Sequence, residues 1–468
     1  MSNSGGISSV LVEGLHDQLD VELSFNPGLN IIYGKNGRGK TTILHLIANA
    51  LELDFARFSC LRFKKIALKT FDNNTLEISR LDSHGAPIVS LNGNATSFNG
   101  SNASLSETEI STMRQALGDR ATYLPAFRSV LERAKGDSSA YYRAGERRDA
   151  DFDELIESEM ALLFSNLGGG IRTHLEQRQI RDEALATAQK TIQCRQWFGQ
   201  FVPIIRYPSV IEVEETLTDE WRQAHLNVTR REQKLFEETF VKVFRATSGL
   251  DVLTDKEKSE DLLASISDLL KEEDFNLPGN ESSMMYEKLL DAARQGTKKE
   301  NESINNSILG LYKKALEDRK AERELSFRRM REFSDSVNEF LDNKTFVIGP
   351  RLGNPRFRST VGFKTPNGHG YGMAALSSGE RQILTMLFSA SRSKVSSGVF
   401  LVDEPELSLH IDWQRIILRE LKKQSSDRQI IACTHSPEVG ADYLTETQDF
   451  EPKIAREPQG DLFDEEDL

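Results

Sequence analysis

Cysteine is scarce in this 468-residue sequence: Cys60, Cys194 and Cys433 lie far apart, and no two form a C-x-x-C pair. That excludes a disulfide framework and a thiolate zinc hook, and it fits a reducing cytosol. Long apolar runs are also missing. None approaches the roughly 18 residues of a membrane-crossing helix, so none is expected. The opening Met1-Ser2-Asn3-Ser4-Gly5-Gly6 has neither the basic nor the apolar region of a secretory leader, and a cytoplasmic protein is expected. Basic residues are in deficit. With 59 Lys+Arg against 72 Asp+Glu the formal charge is −13, which argues against a protein that coats nucleic acid generally but not against a local basic stripe. What remains, 38% hydrophobic and 28% charged residues, is the composition of a globular protein with an ample core. At about 150 residues per domain, two to four domains are expected.

The first fifty residues read as strand, turn, strand, loop and helix. Val10-Leu11-Val12 and Leu19 to Phe25 are short alternating stretches, Asn26-Pro27-Gly28 is turn chemistry, and Leu29 to Tyr33 is a buried strand. Ile43, Leu44, Ile47, Ala48 and Leu51 have helical spacing over Thr41 to Leu51. Residues 52–120 look β-rich, with a mobile Ser/Asn-rich loop over Ser97 to Ser106, and Tyr123 to Arg128 (YLPAFR) closes a β segment. From about 130 to 345 charges are dense, glycine and proline sparse, and apolar residues recur at three and four. Met330, Phe333, Val337 and Phe340 form one stripe, and Ile304, Ile308, Leu311 and Ala315 another. No sustained heptad seam runs through this span, so a helical insertion is expected and not a coiled-coil rod. Strands return at Thr345 to Ile348 and Val361 to Lys364. Then come a helix (Gly379 to Ser389), a buried strand (Val399 to Val402), a helix (Trp413 to Lys423) and a last strand (Gln429 to Cys433). The expected division is 1–130 and 346–445 as two lobes of one head, 131–345 as the insertion, and 446–468 as an acidic tail.

Four motifs carry chemistry. Gly34-Lys35-Asn36-Gly37-Arg38-Gly39-Lys40-Thr41, with Thr42 after it, matches G-x-x-x-x-G-K-[ST] between a strand and a helix. The glycines let backbone N–H groups wrap phosphates, Lys40 adds charge at the β- and γ-phosphates, and Thr41 offers a hydroxyl to Mg²⁺. Val399 to Val402 runs into Asp403 and Glu404. Asp403 would hold Mg²⁺ through water, and Glu404 would orient the attacking water. His435 follows the last strand, where it could donate to a γ-phosphate. In Leu376-Ser377-Ser378-Gly379-Glu380-Arg381-Gln382 a serine can cap the next helix and Gly379 permits close backbone approach.

In that order these motifs resemble the ABC-type ATPase head: a Walker A loop at 34–41, a signature at 376–382 reading LSSGE, a Walker B strand and acids at 399–404, and a switch histidine at 435. Glu406-Leu407-Ser408-Leu409-His410 stands where that family has its D-loop. The resemblance covers about 1–130 and 345–445 and implies an α/β fold, an ABC-type P-loop NTPase head with a large helical insertion. It implies ATP and Mg²⁺ as cofactor pair. It implies self-association as well, since in that family Ser377, Ser378, Gly379 and Glu380 of one copy would complete the ATP site on another. One departure is plain: no Q-loop glutamine stands near YLPAFR, where Arg128 is the conspicuous polar residue. Arg128 could approach nucleotide or partner, or form a structural salt bridge.

Among ABC-type ATPases, an insertion this large does not suit a transporter subunit, and the lack of a long coiled coil or C-x-x-C hook does not suit SMC-like or break-repair ATPases. The residues after His435 are too few for the Toprim domain of an OLD-type nuclease, so any nuclease is expected on a separate chain. The DEPELSLH segment, YLPAFR and the helical insertion resemble the stand-alone ATPases of bacterial anti-phage defence, a family that includes PARIS- and Septu-type systems. That resemblance implies a homo-oligomer that restrains a Toprim-like nuclease effector and releases it when a phage-encoded trigger protein is sensed. A RecF-like repair ATPase that binds DNA directly, and a Septu-type ATPase with an HNH nuclease, are the alternatives. Arg230-Arg231 and the cluster Arg328, Arg329 and Arg331 are candidate basic docks, or simply solvated helix faces.

Overall fold

The structure is a computed structural model that describes residues 6–80, 85–99, 105–128, 174–247, 259–274, 302–352, 359–392, 398–425 and 428–454. Alternation builds the first strands: in β1 (Ile7–Leu15) Val10 and Val12 are buried while Leu11 and Glu13 are less so, and β2 (Leu19–Ser24) buries Val21 and Leu23. β3 (Leu29–Tyr33) is apolar almost throughout, as a strand covered on both faces must be. α1 (Lys40–Glu52) follows, then β4 (Lys65–Thr70), β5 (Thr75–Ser79), β6 (Ile88–Leu91), β7 (Asn94–Asn99), α2 (Glu107–Leu117) and β8 (Thr122–Leu124). The helical span holds α3 (His174–Phe198), α4 (Val210–Thr247), α5 (Ser259–Asp274) and α6 (Glu302–Asn338). β9 (Thr345–Leu352), β10 (Ser359–Lys364), β11 (Gly370–Tyr371), α7 (Ser378–Arg392), β12 (Phe400–Asp403), α8 (Ile411–Gln424), β13 (Ile430–Thr434), α9 (Pro437–Gly440), β14 (Thr447–Asp449) and β15 (Lys453–Ile454) complete the chain. No helix among the described residues is long and apolar enough to cross a membrane.

The chain divides into two compact units, one of Met1–Val213, Ser336–Asn343 and Met373–Leu468, the other of Glu214–Asp335 and Lys344–Gly372. The first is the α/β P-loop head. Its parallel sheet has the order β14-β3-β13-β12-β8, and its antiparallel sheet the order β15-β2-β1-β4-β5-β6-β7. Gln429 stitches the two together. Its buried amide accepts from Ile7 N at 2.8 Å and donates to Ile7 O at 2.7 Å and Asn26 O at 2.9 Å. α3 and the segment after it belong to this unit and bind the far half of α1. Arg195 meets Asp54 at 3.0 Å, Arg206 pairs bidentately with Glu52 at 2.5 and 2.9 Å, and Asn49 donates to Phe201 O at 2.8 Å. Beneath them His45 and the Tyr123 hydroxyl lie 2.8 Å apart, and burial drives the imidazole down to about 3, so it is neutral.

In the second unit Leu262 and Ile266 of α5 pack with Leu309 and Leu316 of α6. β9, β10 and β11 form an antiparallel sheet in which Phe346 lies 5.9 Å from Phe333 of α6 and 5.3 Å from Phe363. Arg319 of α6 pairs with Glu232 of α4 at 2.7 Å. Arg231 and Arg328 each lie near an acid, Glu322 at 4.0 Å and Glu332 at 2.8 Å, while Arg331 donates to the Glu324 backbone carbonyl at 2.8 Å.

Some expectations need correcting. The units do not follow the boundaries 131 and 345: 174–213 lie with the head, and 344–372 lie with α4 to α6. The head also runs past 445, because Thr447–Asp449 pairs with β3 and Lys453–Ile454 with β2; the acidic stretch from 457 lies outside the described residues. Ser97 belongs to β7 and Ser106 caps α2, which leaves only 100–104 of the expected loop outside the described residues. The stripe at Met330, Phe333, Val337 and Phe340 is buried as expected. The other is rotated. Leu309 and Leu316 are buried while Ile308, Leu311 and Ala315 are only half-buried, the Ile304 side chain lying outside the described residues, because α6 carries apolar residues on adjoining faces and its partner α5 selects between them. Leu309→Ala should therefore cost about 2–4 kcal/mol of stability and Leu311→Ala under about 1.5 kcal/mol, read by urea unfolding; equal losses would contradict this packing.

Candidate functional site

β3 ends at Tyr33 and the chain bends through Gly34 to Gly39 before α1 begins. Gly37 and Gly39 have φ of 78° and 97°, values that side chains resist. Gly34 is constrained differently: a Cβ there would lie 3.1 Å from the Phe450 Cβ and 3.3 Å from its carbonyl oxygen. Lys35, Asn36, Gly37 and Arg38 form the exposed crest of the loop. Lys40 is buried, and its Nζ donates to Gly34 O at 2.6 Å and Lys35 O at 3.0 Å, so the loop closes around the ammonium. Thr41 and Thr42 are half-buried in the first turn of α1.

Thr41 Oγ1 donates to Asp403 Oδ2 at 2.9 Å and so joins the loop to the end of β12. Asp403 is 1% exposed, and its Oδ1 has no partner among the described residues. Burial raises this carboxyl to about 6; Glu404 pushes the same way, while Thr41, Arg128 and Lys40 oppose it. The donor set fits a hard divalent cation: a hydroxyl beside a buried carboxylate with a spare oxygen.

Glu404 sits in the left-handed region at φ 45°, its N–H bonded to Cys433 O at 2.8 Å. Its Oε1 lies 3.5 Å from His435 Nδ1, which is 3.1 Å from Glu406 Oε1. The same Glu406 oxygen accepts from the Thr434 hydroxyl at 2.6 Å, His435 N at 2.9 Å and Ser436 N at 3.1 Å. The imidazole is thereby lodged between two carboxylates at the C-terminal edges of β12 and β13. Sequence reasoning took Glu406 as the start of a loop; the signal available was a third acid within four residues of a buried strand, which cannot all be solvated.

Arg128 forms no salt bridge of the expected kind. It is fully buried, and its guanidinium donates to three carbonyls: Pro125 at 2.9 Å, Asp403 at 2.7 Å and Glu404 at 2.8 Å. At the signature, Ser377 and Glu380 cap α7 reciprocally, Ser377 N donating to Glu380 Oε2 at 2.8 Å and Glu380 N to Ser377 Oγ at 3.4 Å. The Glu380 carboxylate is thus engaged in its own helix cap, while Ser377 and Ser378 are exposed. A Cβ on Gly379 would meet Ser408 O at 3.0 Å and the Trp413 ring at 3.2 Å, so glycine lets α7 abut the segment after β12.

The structure thus brings Gly34 to Thr42, Asp403, Glu404 and His435 to one edge of the parallel sheet, and adds Glu406 and Arg128 to them. Residues 152–442, more than half of the chain, match the family described as "AAA domain, putative AbiEii toxin, Type IV TA system". The chain belongs to this family of P-loop ATPase domains. The matched span holds the signature, Walker B and His435 but not the loop at 34–41. The chain is similar to the "Retron Vc95 probable ATPase" of Vibrio cholerae serotype O1 biovar El Tor, 27% identical over 156 residues, 31% of this chain and 29% of that protein. It is similar to the "Retron Ec83 probable ATPase" of Escherichia coli, 35% identical over 75 residues, 14% of each. The matches span less than a third of either relative's length. Solved Smc head domains from Pyrococcus furiosus and Pyrococcus yayanosii align over 96% of each chain at 14% and 15% identity, with TM-scores of 0.38 and 0.37, too low to carry an argument.

Because its carboxyl titrates near 6 in the fold and near 3.8 unfolded, Asp403 holds its proton longer when folded. Stability is then lost as pH rises between those values, and the penalty persists above them. Nucleotide-free Asp403→Asn should exceed wild type by about 1–3 kcal/mol at pH 8 and lose the advantage near pH 4, read by urea unfolding; an Asn variant less stable at pH 8 would contradict the assignment.

Proposed function

We propose that this chain binds and hydrolyses ATP and acts as the switch subunit of a bacterial anti-phage defence system. The observation that carries the reading is the junction of the phosphate-loop threonine with the buried Asp403, beside Glu404 and His435. The family match and the two relatives named as retron ATPases support it.

In this reading the backbone N–H groups of Gly34 to Gly39 surround the triphosphate, and the Lys40 ammonium exchanges its two loop carbonyls for phosphate oxygens. Thr41 and Asp403 would hold Mg²⁺, which when bound neutralises phosphate charge. Glu404 orients a water for in-line attack, which suits a transfer that depends on positioning and charge compensation. His435, kept in place by Glu406, faces the terminal phosphate. Ser377, Ser378 and Gly379 of a second copy complete the site, so that ATP clamps two heads together. A ligand shifts such a switch only if it binds the two states with different affinity.

The finer reading is that of a subunit similar to AriA of PARIS systems: a homo-oligomer that restrains a Toprim-like nuclease and releases it on sensing a phage-encoded protein. It rests on the motif resemblance.

Turnover tests the whole. The wild type should hydrolyse ATP in a Mg²⁺-dependent manner. Lys40→Ala should lose ATP affinity, and Glu404→Gln should keep it, with turnover reduced about 100-fold or more and with ATP-bound self-association stabilised. Unchanged turnover in Glu404→Gln, or unchanged ATP affinity in Lys40→Ala, would overturn the site. Tight duplex binding with a steep salt slope would point to a DNA-repair ATPase instead.

A further inference from the structure

Arg128 stands one strand away from the carboxylates, just past β8, which pairs in parallel with β12 through Thr122, Tyr123 and Leu124. It is among the largest side chains with no exposed surface, and it meets no carboxylate within ion-pair distance among the described residues. Burying a cation is costly unless its donors are used, and Arg128 uses three of them on backbone: Nη1 donates to Pro125 O and Asp403 O, and Nη2 to Glu404 O, while Nε has no partner among the described residues. The last two are the peptide carbonyls of the acids that end β12. The Pro125 bond, three residues back, fixes the guanidinium in its own turn, and Phe127 stacks on Phe198 of α3 at 4.0 Å, so the turn is anchored outside the sheet as well.

The peptide that Arg128 grips is an unusual one. Glu404 has φ 45°, a backbone state a side chain adopts only where its surroundings enforce it. Were those two carbonyls to rotate, Glu404 would turn with them and its carboxylate would leave His435. A lysine cannot replace the fork: it offers one nitrogen where three carbonyls converge on two.

We propose that Arg128 is a positioning residue of the ATPase, a backbone clamp that holds the Asp403–Glu404 peptide in the conformation hydrolysis needs, without itself touching nucleotide. This rests on the ATPase reading above. It assigns the YLPAFR segment a task distinct from the glutamine loop of ABC-type heads.

The test compares ATP affinity and turnover in the full chain for wild type, Arg128→Lys, Arg128→Ala, Glu404→Gln and the Arg128→Lys/Glu404→Gln double variant. Thermal melting of each accompanies the comparison. The expected result for Arg128→Lys is a kcat reduced about 100-fold with ATP affinity close to wild type. The double variant should turn over no slower than Glu404→Gln alone, because the arginine acts through that carboxylate. Guanidinium ion at tens of millimolar should restore part of the turnover of Arg128→Ala, where sodium at equal concentration does not. Full turnover in Arg128→Lys, an equal loss of ATP affinity and turnover, or losses that add in the double variant would each overturn the clamp. If instead wild type itself fails to hydrolyse ATP, the ATPase reading falls and takes this inference with it, a pattern distinct from any of those.

Discussion

One hydrogen bond joins the two halves of the site: Thr41 Oγ1 to Asp403 Oδ2, spanning 362 positions of sequence. It requires the first turn of α1 and the end of β12 to lie at one sheet edge, and that requires β13 to sit between β3 and β12. The strand order is enforced by burial. β3, β12 and β13 are each covered on both faces, and Asn30 of β3 and Gln429, just before β13, spend their donors and acceptors on backbone. A carboxylate at such an edge is expensive to charge, which is why burial raises Asp403 to about 6.

Around this bond the head stores strain and restrains it. A non-glycine residue in the left-handed region costs about 1–2 kcal/mol, and both Glu404 and Ser408 lie there, on either side of Glu406. Glu406 gathers three donors from Thr434, His435 and Ser436, which fixes the end of β13 against the segment after β12. Gly379 lets α7 approach the same segment at Ser408. The signature turn, the end of β13 and the segment that carries Glu404 and Glu406 are therefore in direct contact. The bridge extends backward too, for the Tyr207 hydroxyl bonds Thr385 of α7 while Arg206, one residue earlier, grips Glu52 at the end of α1.

The elements that carry the chemistry were legible because they are local. Gly37 and Gly39 announce a backbone that favours glycine, and Val399 to Val402 announces a buried strand running into two acids, where an uncompensated charge is costly. What the sequence hid is long-range. Arg128 reads as a candidate ion-pair partner until β8 is seen beside β12, since its three acceptors are carbonyls that carry no sequence signal. Glu406 reads as surface until the N–H groups of His435 and Ser436 turn toward it. Leu309 and Leu316 could not be told from Ile308 and Leu311 by spacing alone on a helix as long as Glu302–Asn338, because only the position of α5 chooses between adjoining faces. The pairing of β14 with β3 was hidden for the same reason: three residues past a short helix carry no pattern of their own.

The most direct measurement is a crystal structure of the chain with a non-hydrolysable ATP analogue and Mn²⁺, with the metal located by its anomalous signal. One metal peak is expected between Thr41 and Asp403, with the triphosphate wrapped by Gly34 to Gly39. A metal or triphosphate bound elsewhere, with Thr41 still bonded to Asp403, would contradict it.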